Sequence, residues 1–577
     1  MRRFRLKGPT LALFVLMSAT PTPPVRAQQQ QAQGAAAAAT PAAPPVKRSA
    51  LTTSSAARKA AERITAAQMK EDLYWVADDA RGGRDTPSAG LDATAKFIAG
   101  RLAKTKIKPA GDDGTYFQKI ELRSTNVDAE KTRVELAGRA FKYGDDFVVA
   151  NSASAAVSGP LIYVGHGWVV RSKNINAYEG LDVKDKIMVV AGAGTAPPAG
   201  VTAEYIAGQP AADWESPVSY AEKNGARAIV VVPQGHERVY QHFRRSLGRT
   251  SYQVKRFAEE TEGRAGSPPS KIPVIIPSAV MLNALFEGQR TAGADILKAA
   301  NANEAGPGFD FAAAKTMSIA TSVMVSEATT QNVVGVLEGS DAKLREEYVA
   351  VGAHYDHVGM RPGQPGDNIF NGADDDGSGT VAVLSMAEAF ARGKAPKRSL
   401  LFVWHAGEEK GLWGSQYFTK YPTVPIKQIV AQLNIDMIGR SRAADDAKPA
   451  NKGLSGPDEI FVIGSKMMSA ELGEASESVN RSYLNLKYNY QYDAPDDPEQ
   501  LFYRSDHYNY AVQGIPIVFY FDGIHEDYHK VSDSPDKIDY QKMQKVARTV
   551  FVLATELANA PTRPVVDTPL PASSRRR

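Results

Sequence analysis

From Thr330 onward the sequence alternates between unbroken apolar runs of strand length and apolar patterns of helical period, and this alternation limits the fold more than any other feature. The runs are residues 348–352, 399–404, 429–435, 460–463 and 515–521, and helical patterns follow at 380–391 and 540–558. A strand that is apolar on both faces must be covered on both. Intervening helices supply that cover, so the pattern predicts an α/β domain with a mixed, mostly parallel central sheet flanked by helices.

Upstream the texture differs. Residues 66–80 and 91–103 carry apolar positions at helical spacing, and Thr65 is placed to cap the first of these helices. Between about 127 and 314 short β-rich runs dominate, at 160–164, 186–190, 228–232 and 273–276, with one helix-like stretch at 219–225. This segment clusters no His with carboxylates and reads as an inserted, non-catalytic, β-rich domain. The expected organisation is a signal peptide at 1–27, a disordered Gln/Ala/Pro linker at 28–56, a first peptidase part at 57–126, the insert at 127–314, the catalytic part at 315–559 and a disordered tail at 560–577.

The leader reading rests on the basic residues Arg2, Arg3, Arg5 and Lys7, the short apolar core 11–17, and small residues around Ala27. That core is far short of the ~20 residues a membrane span needs, so no stable membrane insertion is expected after cleavage. The predicted destination is bacterial export, periplasmic or secreted. A net charge of +4 over 577 residues gives no reason to expect a nucleic-acid partner.

The chain contains no cysteine, so any transition metal must be held by imidazole and carboxylate. Six of its nine histidines (His354, His357, His405, His507, His525 and His529) fall in the half with the apolar strands. In open α/β sheets ligands bind beyond the carboxyl ends of the strands. The first run leads to His354, with Asp356 two residues on and able to take its second ring N–H. Next come three adjacent carboxylates, Asp374, Asp375 and Asp376, flanked by glycines before an apolar helix. Such a triplet is either a solvated helix N-terminus or faces a cation. The second run leads to Glu408-Glu409, where one carboxylate can ligate and its neighbour accept a proton, although an exposed turn reads the same way. Asp436 ends the third run inside apolar sequence, where a buried carboxylate needs a partner. His525 and His529 follow the last run. Two His and three carboxylates at one sheet edge, without a thiol, form a ligand set for two zinc ions.

The motifs A-H-Y-D, G-A-D-D-D-G-S-G, G-E-E-K-G-L-W-G-S, N-I-D-M-I-G and Y-H-K-V-S-D-S-P-D-K-I-D occur in one order. They resemble the co-catalytic zinc aminopeptidase family, which also includes glutamate carboxypeptidase II, transferrin receptor and glutaminyl cyclase. The insert resembles a protease-associated domain, which could contact peptide or protein partners. The resemblance implies a zinc-exopeptidase fold and two zinc ions. His354 and Asp436 would hold one, Glu409 and His529 the other, and Asp375 would bridge them, with a cis bond to Asp376. It implies Glu408 as general base and, less directly, Tyr528 as a donor to the scissile carbonyl. Asp356, Asp376, Ser505, Asp506 and His507 would support the site. The Tyr-rich stretch 483–510, with Asp493, Asp496, Asp497 and Glu499, reads as a lid or as an ordinary surface loop.

The expected activity is hydrolysis of N-terminal residues from peptide substrates. A dizinc carboxypeptidase or dipeptidase stays open, with Arg504 as a possible carboxylate donor. So does, from another class, a non-catalytic binding protein that uses the insert.

Overall fold

The computed structural model describes residues 51–192, 197–210, 212–248, 250–262, 271–361, 363, 365–494, 497–568 and 570. The expected signal peptide and linker residues 28–50 lie outside the described residues. The chain divides into two compact units, residues 122–327 and the remainder of the described chain, 51–121 with 328–570.

The second unit is built on one sheet. Its strands are β1 (Phe117–Val127), β2 (Val323–Leu337), β3 (Tyr348–His354), β4 (Ser399–His405), β5 (Ile429–Ile435), β6 (Glu459–Ile463), β7 (Lys487–Asn489) and β8 (Ile517–Phe521). Their spatial order is β1-β2-β4-β3-β5-β8-β6-β7. Strands β4, β3, β5 and β8 are mutually parallel, while β2 and β6 run antiparallel to β4 and β8. The sheet is therefore mixed with a parallel centre, as the unbroken apolar runs demand. Every residue of β4 and β5 is buried.

Helix α3 (Gly379–Ala391) is buried along its whole length, and α4 (Tyr540–Asn559) packs over it with Phe551 stacked on Phe390 at 3.9 Å between ring centroids. An all-round apolar helix such as V-A-V-L-S-M-A has no face to give to water, so it needs this second helix as a roof. Helices α1 (Ala66–Val76) and α2 (Ala89–Leu102) add to the same core. Thr65 caps α1 by accepting from the Gln68 N–H. This helix stops at Val76 rather than near residue 80. Asp78 caps the following turn through the Ala80 N–H, and Gly82 and Gly83 adopt positive φ.

Two boundaries differ from expectation. The linker expected to reach residue 56 ends sooner. Thr53 is buried and its hydroxyl donates to the Val479 carbonyl, and a helix capped by Ser54 begins at Ser55. The tail expected from residue 560 is packed through 568. Arg563 pairs with Glu347 at 2.6 Å, and the Asp567 N–H donates to the Met468 carbonyl. In both places polar side chains find specific partners that a low-complexity composition does not reveal.

The first unit has its own sheet, in the order 139–141, 133–136, 316–321, 155–163, 187–192, 228–233, 274–277 and 147–149. Beside the helix Pro217–Lys223 it carries helices not read from sequence, among them His236–Ser246, Ala279–Phe286 and Gly293–Ala302. No described helix is long and apolar enough to cross a membrane.

Candidate metal and catalytic site

Because β3, β4, β5 and β8 are parallel, their carboxyl ends share one edge. His354 pairs in register with His405, Gly352 with Asn434, and Ile435 with Tyr520. The residues that end these strands therefore converge. His354 closes β3, Glu408 and Glu409 follow β4, Asp436 follows β5, and His529 lies in the loop after β8. The start of α3 is tied to the same edge, since the Thr380 hydroxyl donates to the His354 carbonyl (2.6 Å) and the Trp404 indole N–H donates to the Thr380 carbonyl (3.0 Å).

Between β3 and α3 the chain makes a wide turn in which the Gly377 N–H reaches back to the Gly372 carbonyl (3.2 Å). Gly372 sits at φ 56°, and a Cβ there would lie 2.3 Å from the Asp375 carbonyl and 2.4 Å from the His357 ring, so no other residue fits. The Asp375-Asp376 bond is cis. The turn projects its three carboxylates in different directions. Asp374 accepts from the Gly439 N–H (2.7 Å) and faces His525 (3.2 Å). Asp376 accepts from the N–H groups of Gly379 and Met437. Asp375 turns into the cluster of strand-end ligands.

That cluster consists of two groups that share Asp375. In one, His354 Nε2 lies 3.3 Å from Asp375 Oδ1 and 3.6 Å from Asp436 Oδ1. In the other, His529 Nε2 lies 3.0 Å from Asp375 Oδ2 and 3.2 Å from Glu409 Oε2, and His357 Nδ1 lies 2.8 Å from Glu409 Oε1. Within each group the donor atoms lie within 4.8 Å of one another. Both nitrogens of His357, Asp375 Oδ2, Glu409 Oε1 and His529 Nε2 are buried without a hydrogen-bond partner. Buried polar atoms are ordinarily satisfied. Imidazole and carboxylate atoms converging without hydrogen bonds suit a divalent cation, and a mixed N/O set without thiolate suits zinc.

Of the residues expected from sequence, His354, Asp375, Glu409, Asp436 and His529 all enter these two groups. His357 does too, although its sequence context assigned it no role. The only available signal was its position three residues beyond His354 in the same loop.

The surrounding residues hold these side chains in place. His354 Nδ1 contacts the main-chain carbonyl of Asp356 (3.2 Å), and the Asp356 carboxylate stands slightly farther away (3.6 Å). That carboxylate instead accepts from the Thr86 hydroxyl and the Glu408 N–H, both at 3.1 Å. Ser505 donates to Asp436 Oδ2 (2.6 Å) and accepts from the Asn434 amide (2.9 Å). Asp533 accepts the N–H groups of Asp374 and Asp375. Asp506 faces His405 (3.4 Å), whose other nitrogen meets the Tyr510 hydroxyl. His507 turns away from the cluster. It bonds the Phe502 carbonyl and stacks on Phe519 at 4.5 Å, and burial pulls its pKa down to about 3.

The electrostatics follow from this crowding of buried charge. Burial opposes ionisation of Asp375, but the imidazoles of His357, His354 and His529 outweigh it and hold the carboxyl well below the usual range. Glu408 is raised well above it, by burial first, with His354 opposing and Glu409 and Asp436 reinforcing. Tyr528 stacks on His529 at 3.9 Å, and its phenol is pushed up by burial and by Asp375 and Glu409. Tyr503, Tyr508 and Tyr528 border the same apolar cluster as Met437 and Phe502, whereas Tyr488 and Tyr490 pack on the main core.

Residues 332–554 match the model of Peptidase family M28. A probable leucine aminopeptidase of Trichophyton verrucosum (strain HKI 0517) is 29% identical over 224 residues, 37% of this chain and 55% of the relative. One from Arthroderma otae (strain ATCC MYA-4605 / CBS 113480) is 31% identical over 225 residues, again 37% and 55%. The chain thus spans about half the length of the curated relatives it matches. Among solved structures, an aminopeptidase from Aneurinibacillus sp. strain AM-1 aligns over 90% of this chain and 98% of its own, with a TM-score of 0.48 and 17% identity. The matched stretch carries the parallel centre of the sheet and all of the strand-end residues above, so residues 332–554 of this chain are similar to peptidase family M28.

Proposed function

We propose that the chain is an exported, zinc-dependent exopeptidase that removes N-terminal residues from peptides. The observation that carries this reading is the pair of ligand groups sharing Asp375, with Glu408 adjoining Glu409 in sequence at the same sheet edge. His354, Asp375 and Asp436 would hold one ion, and Asp375, Glu409 and His529, with His357 beside them, the other. Bound zinc would supply Lewis acidity, lowering the pKa of water and polarising the scissile carbonyl. Glu408 takes the proton from the attacking water and delivers it to the leaving amine. Tyr528 presents its phenol O–H to the developing oxyanion, a role its raised pKa suits because the proton stays on oxygen. Asp356 orients this machinery by holding the main chain of Glu408. Residues 127–314 are read as a protease-associated domain that contacts peptide or protein partners.

The test is a panel of aminoacyl-p-nitroanilides against their N-acetylated forms, with and without a zinc chelator, and with Glu408→Gln. Hydrolysis of free-amine substrates alone, abolished by chelator and reduced at least ~100-fold by Glu408→Gln, is expected. Turnover confined to C-terminal or dipeptide substrates would replace aminopeptidase with carboxypeptidase or dipeptidase. A protein that binds no zinc would refute the enzymatic reading and favour a binding role.

A further inference from the structure

The metal centre leans on a segment far from it in sequence. Residues 76–86 lie outside the 332–554 match, yet they touch two ligand-bearing loops directly and a third through Asp356. Arg84 is fully buried, and its four hydrogen bonds all go to main-chain carbonyls. Nε donates to Tyr355 (3.0 Å), between His354 and His357. Nη1 and Nη2 donate to Asn371 (2.6 Å) and Gly372 (2.8 Å), just before the Asp375 turn, and Nη1 also reaches Val76 (3.0 Å). The main chain of the segment adds to this. The Arg84 carbonyl accepts the His357 N–H (3.1 Å), and the Gly83 carbonyl accepts the Gly359 N–H (3.0 Å). Gly83 is required for the approach, because a Cβ there would come within 2.3 Å of the Gly359 carbonyl. Two residues on, the Thr86 hydroxyl bonds the Asp356 carboxylate that holds the Glu408 N–H.

A buried guanidinium normally pairs with a carboxylate. This one instead spends its planar fork on carbonyls of two different loops, with the carboxylates of Asp356, Asp375, Asp533 and Asp376 close enough to act on its charge. Both consequences favour a preformed site. The fork fixes the spacing between the His354–His357 loop and the Asp375 turn, and the fixed positive charge offsets the repulsion among the clustered carboxylates before any cation arrives.

We propose that Arg84 is a positioning residue for the metal centre: it holds the loops bearing His354, His357 and Asp375 at ligating distance and thereby sets zinc affinity. The proposal rests on the metallopeptidase reading above. Its test uses the full mature chain, with Arg84→Lys, which keeps the charge and loses the fork, and Arg84→Met, which loses both. Zinc affinity is measured by competition with a chromophoric chelator, the visible ligand-field band after cobalt(II) loading, and the unfolding midpoint without metal. We expect Arg84→Lys to fold, to bind zinc about 10–100-fold more weakly and to shift the cobalt(II) band, with a larger loss in Arg84→Met. A folded Arg84→Lys with wild-type zinc affinity and cobalt(II) band would overturn the proposal, even if its unfolding midpoint dropped. So would failure of both variants to fold, which would make Arg84 a scaffold residue. Wild-type protein that binds no zinc would instead refute the metallopeptidase reading, so the two failures are separable.

Discussion

Ser505→Ala isolates one half of the proposed metal centre. The Ser505 hydroxyl donates to Asp436 Oδ2 at 2.6 Å, and Asp436 belongs only to the group with His354 and Asp375. A hydrogen bond to an ionised group contributes about 1.5–3 kcal/mol. At about 1.4 kcal/mol per factor of ten, its loss corresponds to roughly 10–150-fold weaker binding at that group. The group containing Glu409, His357 and His529 has no contact with Ser505 among these bonds and should change little. With two zinc ions bound as proposed, chelator titration should therefore become clearly biphasic in the variant, with one ion released early. The same substitution strips the acceptor from the buried Asn434 amide, which bonds Ser505 at 2.9 Å. An orphaned buried donor costs about 1–3 kcal/mol, so the metal-free variant should also unfold at lower denaturant. If both ions were released as in the wild type while stability fell, Asp436 would not be a ligand whose orientation matters, and the assignment of the first group would be wrong.

Two further predictions concern stability away from the candidate metal site. Burial pushes the Asp493 carboxyl up to about 7, despite the hydrogen bond it accepts from Gly464 and the nearby charge of Lys466. The folded state then keeps a proton that the unfolded chain releases near pH 4, so this group's contribution declines as pH rises from about 4 to about 7. Asp493→Asn removes that titration, and its stability advantage over wild type should grow through this window by about 1–4 kcal/mol, measured as the difference in denaturation midpoint between pH 4.5 and pH 8; a difference independent of pH would refute it. Thr65→Ala removes the cap that accepts from Gln68 and should destabilise the second unit by about 1 kcal/mol. An unchanged unfolding curve would show that α1 gains its stability from packing alone.

Legibility in the sequence tracked the kind of signal each residue carries. The central strands could be read because burial on both faces leaves a run such as L-L-F-V-W with no polar residue, and one edge of a parallel sheet collects whatever ends those runs. This is why His354, Glu409, Asp436 and the Asp triplet could be named, and the structure brings the first three together with the triplet's middle residue, Asp375. His357 could not be separated from a buried structural histidine, because nothing periodic orients a side chain within a loop. His507 shows the opposite case, since it shares a strand-edge neighbourhood with Ser505 yet stacks in the apolar interior. The helix expected to run to residue 80 overran because its pattern continues through W-V-A, while the stop depends on Asp78 and on the positive φ of Gly82 and Gly83.

Arg84 marks the limit of such reading in physical terms. Its partners are carbonyls, which every residue possesses, so no pairing of residue types could announce it. Its segment also precedes residues 122–327, which form a compact unit of their own. The chain leaves the unit that carries the candidate site along β1 and returns along β2, strands that neighbour each other in the sheet. An insertion whose two ends lie side by side disturbs little of its host. The parts of the site can therefore remain separated by some two hundred residues of sequence, while Arg84 and Asp375 stay within one core. Sequence proximity sets which candidate ligands share a loop; under the proposal above, the spacing between the His354–His357 loop and the Asp375 turn is set by a side chain that precedes residues 122–327.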